Sequence, residues 1–102
     1  MSGYNILVKI PKERIGVLIG TAGNVKEIIE KKLSVDLEIE SQTGDITITL
    51  KKDVKDPFYT FRAKDIVTAI GRGFSPEHAF RLLNNEDDVL EVVDLREIFD
   101  RS

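Results

Sequence analysis

Apolar and polar residues follow a strand-like pattern in three short parts of the chain. Residues 4–10 have the composition of a strand, and apolar and polar residues alternate in 35–40 and 46–50, as in a strand with one buried face. The polar residues 41–45, with Gly44 among them, predict a hairpin loop between the last two strands. Together these segments predict a three-stranded sheet whose apolar face is covered by helices.

Three other segments have the spacing of helices. Apolar residues recur at i, i+3 and i+4 in 15–19, 25–33 and 59–70, which is the pattern of one buried helix face. Pro11 precedes the first of them, and its missing N–H costs nothing at the start of a helix. The element order is therefore βααββα over residues 4–73, and we predict an α+β domain.

Two pairs of residues indicate where helices begin. Asn24 and Glu27 have the spacing of a capping box, in which the first side chain accepts an N–H of the opening turn. Asp56 precedes Pro57, and these residue types are favoured at the N-cap and at the first helical position.

The C-terminal part of the chain has a different composition. Ser75 and Pro76 predict the start of another short helix, and the Val- and Leu-rich stretch 89–95 predicts a strand or an extended arm. We therefore divide the chain into a domain, 1–73, and an extension, 74–102. Because apolar residues favour burial, we expect the arm to pack on its own domain, on a further domain, or on a second copy in a weak homodimer.

The joint between the first two helices is the segment Gly20, Thr21, Ala22 and Gly23. Its two glycines let the backbone approach a ligand closely, because no Cβ stands in the way. The unpaired N–H groups and the positive dipole end of the next helix face the same spot, which favours a phosphate. A KH domain clamps about four nucleotides of single-stranded nucleic acid with a GXXG loop of this kind. The glycine spacing matches neither a dinucleotide fingerprint nor a P-loop.

Charge is distributed unevenly around a formal net charge of −3. Residues 9–32, which surround the loop, hold six bases and three acids, a net charge of +3. Residues 85–102 hold seven acids and two bases, a net charge of −5. The positive charge therefore lies where a phosphate would bind. The alternative is that alternating Lys and Glu only solvate the helix faces.

Nothing in the sequence indicates an enzyme. The chain has no cysteine and a single histidine, so it has neither a thiol nucleophile nor a cysteine metal site. No metal-binding or catalytic motif is present, and we expect no cofactor. The N-terminus lacks the pattern of a signal peptide. The absence of cysteine suits a reducing compartment, and we expect a cytoplasmic protein that does not bind membranes.

Four segments, 15–26, 69–77, 79–83 and 92–96, together resemble the first KH domain of the archaeal Pno/Dim proteins. The segment Gly-Arg-Gly-Phe-Ser-Pro-Glu directly after the third helix is the most specific of these features. The Pno/Dim proteins are small-subunit ribosomal RNA processing factors related to the eukaryotic Krr and Pno assembly factors. The resemblance implies a type I KH fold, a three-stranded antiparallel sheet covered by helices, with an extra C-terminal helix and arm.

The same resemblance implies a function. It implies binding of single-stranded RNA near the 3′ end of small-subunit rRNA, a role in its maturation, and contact with a Nob-type endonuclease and other assembly factors. Pno/Dim proteins carry a second KH domain, and this chain stops before one could begin. We therefore expect the chain to be a piece of a longer protein.

The residues expected to bind RNA fall into three groups. The main chain of Gly20, Thr21, Ala22 and Gly23 is expected to hold the sugar–phosphate backbone. The side chains expected beside the phosphates are those of Lys12, Arg14 and Lys26, with Asn24 directly after the loop. The side chains expected to form an apolar groove for bases are those of Ile15, Val25, Ile28 and Ile39. Replacing both loop glycines by aspartate is expected to abolish RNA binding and to leave the fold intact.

A second function remains open beside RNA binding. Thr21 and Ala22 carry no charge, whereas strong KH clamps commonly have Lys or Arg there, so we expect weak affinity for RNA. The KH frame is then an interaction scaffold, and the acidic, Val-rich extension is its protein-binding surface.

Overall fold

The computed structural model describes residues 5–84. Its strands are β1 (Asn5–Lys9), β2 (Val35–Glu40) and β3 (Asp45–Leu50). Its helices are α1 (Ile15–Ile19), α2 (Asn24–Leu33), α3 (Phe58–Gly71) and α4 (Pro76–Asn84). Short 3₁₀ turns, Lys12–Arg14 and Thr21–Gly23, precede α1 and α2. The predicted α+β order, βααββα followed by a further helix, is confirmed, and the predicted arm at 89–95 lies outside the described residues.

The three strands form one antiparallel sheet in the order β1-β3-β2. Ile46 at the centre lies opposite Val8 of β1 and Ile39 of β2. Because alternate side chains point to the same side of a sheet, the apolar positions of all three strands share one face. The helices cover that face, as the alternating pattern requires.

The core lies between this face and the helices. Its largest fully buried side chains include Leu18, Ile29, Ile46, Ile48, Ile66 and Ile70. Burial of each contributes about 1.5–3 kcal/mol relative to an exposed side chain. The predicted stripe of α3 is confirmed, because Ala63, Ile66, Val67 and Ile70 are at most 1% exposed. No helix in this part of the chain is both long enough and apolar enough to span a membrane.

The predicted capping box at the start of α2 is wrong. Gly23 occupies the N-cap position in the left-handed conformation, and no side chain caps the helix. Asn24 already has helical dihedrals, so its side chain belongs to the first turn and does not reach back to cap it. Its Oδ1 atom is buried without a hydrogen-bond partner.

The predicted start of α4 at Pro76 is confirmed, and α3 begins one residue later than predicted, at Phe58 with Pro57 at the N-cap. Asp56 accepts a hydrogen bond from the N–H of Phe58 through its carboxylate at 3.0 Å, which satisfies one of the free donors of the first turn. Ser75 does the same for α4, where its Oγ accepts the N–H of His78 at 3.1 Å. These caps fix the points at which the chain enters both helices.

An ion pair joins β2 to the residue that directly follows β3, at one end of the sheet. Lys51 Nζ lies 2.9 Å from Asp36 Oδ1, and this hydrogen bond raises the pKa of Lys51 above its ordinary 10.5. The pair therefore contributes stability below about pH 10.5, and the contribution is lost as the pH rises through the folded-state pKa.

We expect Asp36→Asn to lower the pKa of Lys51 toward 10.5, because the acceptor charge is removed. NMR titration of the Lys51 Cε–Hε signals measures the change. Glu38→Gln, on the same strand, is the matched control and is expected to leave that pKa in place. An equal pKa in Asp36→Asn and in the wild type would contradict the role of the ion pair.

Candidate nucleic-acid interface

The loop at residues 20–23 has an unusual backbone. Gly20 has φ 80° and ψ 175°, Ala22 has φ 53° and ψ 28°, and Gly23 has φ 78° and ψ 14°. The N–H of Gly23 donates to the carbonyl of Gly20 at 3.1 Å, which closes the turn. A tight turn directly before a helix N-terminus presents successive backbone N–H groups, a common arrangement for binding anions.

The two glycines of the loop have different surroundings. A Cβ on Gly20 would collide with Asn24 Oδ1 and with the side chain of Val25. A Cβ on Gly23 would meet no heavy atom within 4 Å. Gly20 therefore lets α2 pack against the loop, whereas Gly23 leaves the outer face of the loop open. The expectation that both glycines tolerate aspartate without harm to the fold is thus corrected for Gly20.

The three predicted cations have different partners. Lys12 is exposed on the turn before α1, and Lys26 Nζ lies 3.3 Å from Glu30 Oε2. Arg14 donates from Nε to the carbonyl of Ile70 at 2.7 Å and from Nη2 to the carbonyl of Phe74 at 2.9 Å. The guanidinium of Arg14 thus binds the C-terminal end of α3. Of the three cations, Lys12 is the most exposed to solvent.

Three of the four side chains expected to form an apolar groove are largely buried, although Val25 and Ile28 each line an open cleft. Ile15, Val25 and Ile28 are only 5%, 4% and 8% exposed, and Ile39 is half-buried at its rim. Their apolar stripe packs α1 against α2, and α2 onto β2, because the same periodicity that suggests a binding face also makes a core face. These side chains therefore support the loop from beneath.

An open cleft of about 530 Å³ lies beside the loop. It lies between α1, the loop and the first turn of α4, and Asn24 is on its wall. The residues lining it are Gly16, Val17, Gly20, Thr21, Asn24, Val25, Ser75, Pro76 and Glu77. The loop thus projects from the surface with free space on more than one side.

Glu30 is a residue of this surface that the sequence reasoning did not single out. Its Oε2 accepts the N–H of Leu37 on β2 at 2.8 Å, in addition to its contact with Lys26. Glu30 therefore adds a polar contact between α2 and β2 beside the buried apolar stripe. In the sequence, only the i, i+4 spacing of Lys26 and Glu30 indicates that Glu30 forms an ion pair. Such pairs are common on helix surfaces and do not identify a binding residue.

Comparison with known proteins places this geometry in a family. Residues 3–85 match the family model of the Krr1 KH1 domain. The KH domain-containing protein MJ0443 of Methanocaldococcus jannaschii is 53% identical over 91 residues, which are 89% of this chain and 39% of that protein.

Two solved structures from Pyrococcus horikoshii OT3 are similar to this chain. The crystal structure of Dim2p is 54% identical with a TM-score of 0.76, over 81% of this chain and 49% of that one. An a/eIF2alpha–aDim2p–rRNA complex has a chain that is 53% identical with a TM-score of 0.76, over 81% of this chain and 46% of that one. This chain thus spans less than half the length of these relatives. The family match and the level of identity show that the chain belongs to the family of Krr1 KH1 domains.

Proposed function

We propose that this chain binds single-stranded RNA at the loop 20–23 and acts in the processing of small-subunit rRNA. The observation that carries the proposal is the open outer face of Gly23, in a left-handed backbone directly before α2. The family is an RNA-binding one, and a relative has been crystallised in a complex with rRNA. Both facts support this assignment over an enzymatic role.

The proposed binding mode relies on the main chain. A phosphate at the outer face of Gly23 receives backbone N–H groups and the positive end of α2, which has ten residues. Lys12, in the turn before α1, adds an exposed positive charge, while Thr21 and Ala22 add none. The expected affinity is therefore modest, with RNA held chiefly by its shape and backbone.

The salt dependence of binding follows from this small number of charges. We expect log K to fall with log salt concentration with a slope of about −0.7 per phosphate contact, or roughly −1 to −2 in total. Fluorescence anisotropy with a labelled single-stranded RNA, at salt concentrations of about 50–300 mM, measures the slope.

Two variants test which cation contributes to that slope. Lys12→Gln is expected to make it shallower by about 0.7. Lys64→Gln, at an exposed position of α3, is the control and should leave it unchanged. A wild-type slope steeper than about −4 would show that a larger basic surface binds the RNA.

Within the same proposal, the RNA is the 3′ region of small-subunit rRNA, and the protein partners are a Nob-type endonuclease and other assembly factors. The division into a domain at 1–73 and an extension toward a second KH domain also belongs to the proposal, as does a weak homodimer.

Protein binding is a second candidate function. Phe58 and Phe61 on α3 are 51% and 56% exposed, at the end of the helix opposite to Ile70 and the loop. Exposed aromatic pairs are typical of interaction surfaces. If the folded wild type bound no single-stranded RNA, this candidate would replace the first.

A further inference from the structure

The carboxylate of Glu30 lies between α2 and the open edge of β2. Strand β2 pairs with β3 on one side only, so alternate N–H groups of β2 point away from the sheet. One of these, the N–H of Leu37, donates to Glu30 Oε2 at 2.8 Å. The Glu30 side chain is 20% exposed, so solvent and ligands reach part of it.

Both contacts of Glu30 engage the same oxygen. Lys26 Nζ lies 3.3 Å from Oε2, and the bond from Leu37 also ends there. Within residues 5–84, Oε1 takes part in neither contact. An ionised carboxylate oxygen accepts hydrogen bonds but never donates one, so Oε1 can act only as an acceptor.

Glu30 is within reach of RNA held at the loop. It follows Gly23 by seven residues on α2, which is about 10 Å along the helix axis. A strand that runs from the loop along α2 covers this distance within the roughly four nucleotides that such a loop holds. Half-buried Ile39, two residues beyond Leu37 on β2, offers apolar contact for the face of a base.

We propose that Glu30 determines base specificity, and that its free oxygen selects a base with an exocyclic amino group, such as cytosine, over uracil. The inference rests on the proposed RNA binding at the loop. A carboxylate accepts a hydrogen bond from the N4 amino group of cytosine. At the same place uracil presents the O4 carbonyl, so two acceptors face each other without a proton between them.

Neighbouring cations reduce the electrostatic repulsion between the Glu30 carboxylate and RNA. Lys26 is in contact with the carboxylate, and Glu30 adds to the raised pKa of Lys51, which comes first from Asp36. These two ammonium groups offset the repulsion between Glu30 and phosphates. The carboxylate therefore acts on the base edge without a large penalty from the backbone of the RNA.

The test compares two probes and two matched variants. The probes are single-stranded nonamers of cytidine and of uridine, which differ only in the groups on their bases, and anisotropy gives both affinities. Glu30→Gln keeps an amide oxygen for Leu37 but removes the charge and adds a donor. Glu27→Gln is the control, because Glu27 forms an i, i+4 pair with Lys31 at 3.4 Å on the exposed side of α2.

We expect the wild type and Glu27→Gln to bind the cytidine probe about 5- to 100-fold more tightly than the uridine probe. In Glu30→Gln this ratio should fall close to one, chiefly because uridine binds better. Amide NMR spectra should show a native fold for both variants, with the Leu37 amide shifting on addition of cytidine RNA. A purely structural role for Glu30 would not change the ratio.

The outcomes separate this inference from the proposed function. Binding of both probes with equal affinity by the wild type, or an unchanged ratio in Glu30→Gln, would overturn the role of Glu30 and leave RNA binding at the loop in place. Binding of neither probe by the folded wild type would overturn both.

Discussion

Replacing Gly23 by aspartate is expected to abolish measurable RNA binding while the domain stays folded. Gly23 has φ 78°, and its open outer face means that a new side chain meets no protein atom. The expected loss of stability is about 1 kcal/mol, the cost of a left-handed conformation in a residue with a Cβ. The carboxylate then occupies the phosphate position and repels it, and we expect at least about a 10- to 100-fold loss of affinity.

Two further variants make this experiment specific. Gly23→Asn has nearly the same shape as Gly23→Asp and tolerates a left-handed backbone, but it carries no charge, so it should retain more of the affinity. Gly20→Ala is expected to distort the loop, since its Cβ would collide with Asn24 and Val25. Thermal unfolding measures the stability of each variant, and fluorescence anisotropy measures its affinity for RNA. Full RNA affinity in folded Gly23→Asp would disprove binding at this loop.

The sequence predicted the fold well because periodicity reports directly on which side chains are buried. The alternation in β2 and β3 and the helical stripe of α3 each identify one apolar face, and a single arrangement buries all of them. Glycines are a weaker signal. The GXXG motif does not distinguish Gly20 from Gly23. Only the close packing of Val25 against Gly20 shows that Gly20 is needed for packing of the domain.

The predicted apolar groove shows where periodicity stops being informative. Ile15, Val25 and Ile28 have the spacing of an apolar face, but spacing does not reveal whether that face meets solvent or the sheet. In the structure the three side chains are buried in the core. The bond between Glu30 and Leu37 was equally hidden, because it depends on β2 lying at the edge of the sheet.

The role of Arg14 depends on contacts that are distant in sequence. Its two acceptor carbonyls belong to residues 56 and 60 positions later in the chain. From neighbouring residues alone, a cation close in sequence to a glycine loop is expected to bind a phosphate. No sequence pattern indicates that Arg14 contacts the end of α3. A guanidinium has five donors, so Arg14 reaches both Ile70, in the last turn of α3, and Phe74, just after it.

Arg14→Gln is therefore expected to destabilise the domain, by about 2–3 kcal/mol, because two hydrogen bonds from a charged group are lost. The expected fall in the melting temperature is roughly 10 °C or more. Lys12→Gln, two residues earlier and exposed, is the matched control and should change stability by less than about 0.5 kcal/mol. Chemical denaturation of the two variants beside the wild type measures the difference.

The same pair of variants separates anchoring from phosphate binding. If Arg14 serves chiefly to bind α3, Arg14→Gln at a temperature where it is folded should keep the wild-type slope of log K against log salt, because no phosphate contact is removed. Its affinity should still fall, since the turn before α1 is no longer tied to Ile70 and Phe74 and the loop that follows α1 loses its support. Lys12→Gln should show the reverse, with a shallower slope and unchanged stability. A shallower slope together with wild-type stability in Arg14→Gln would assign Arg14 to the phosphate instead.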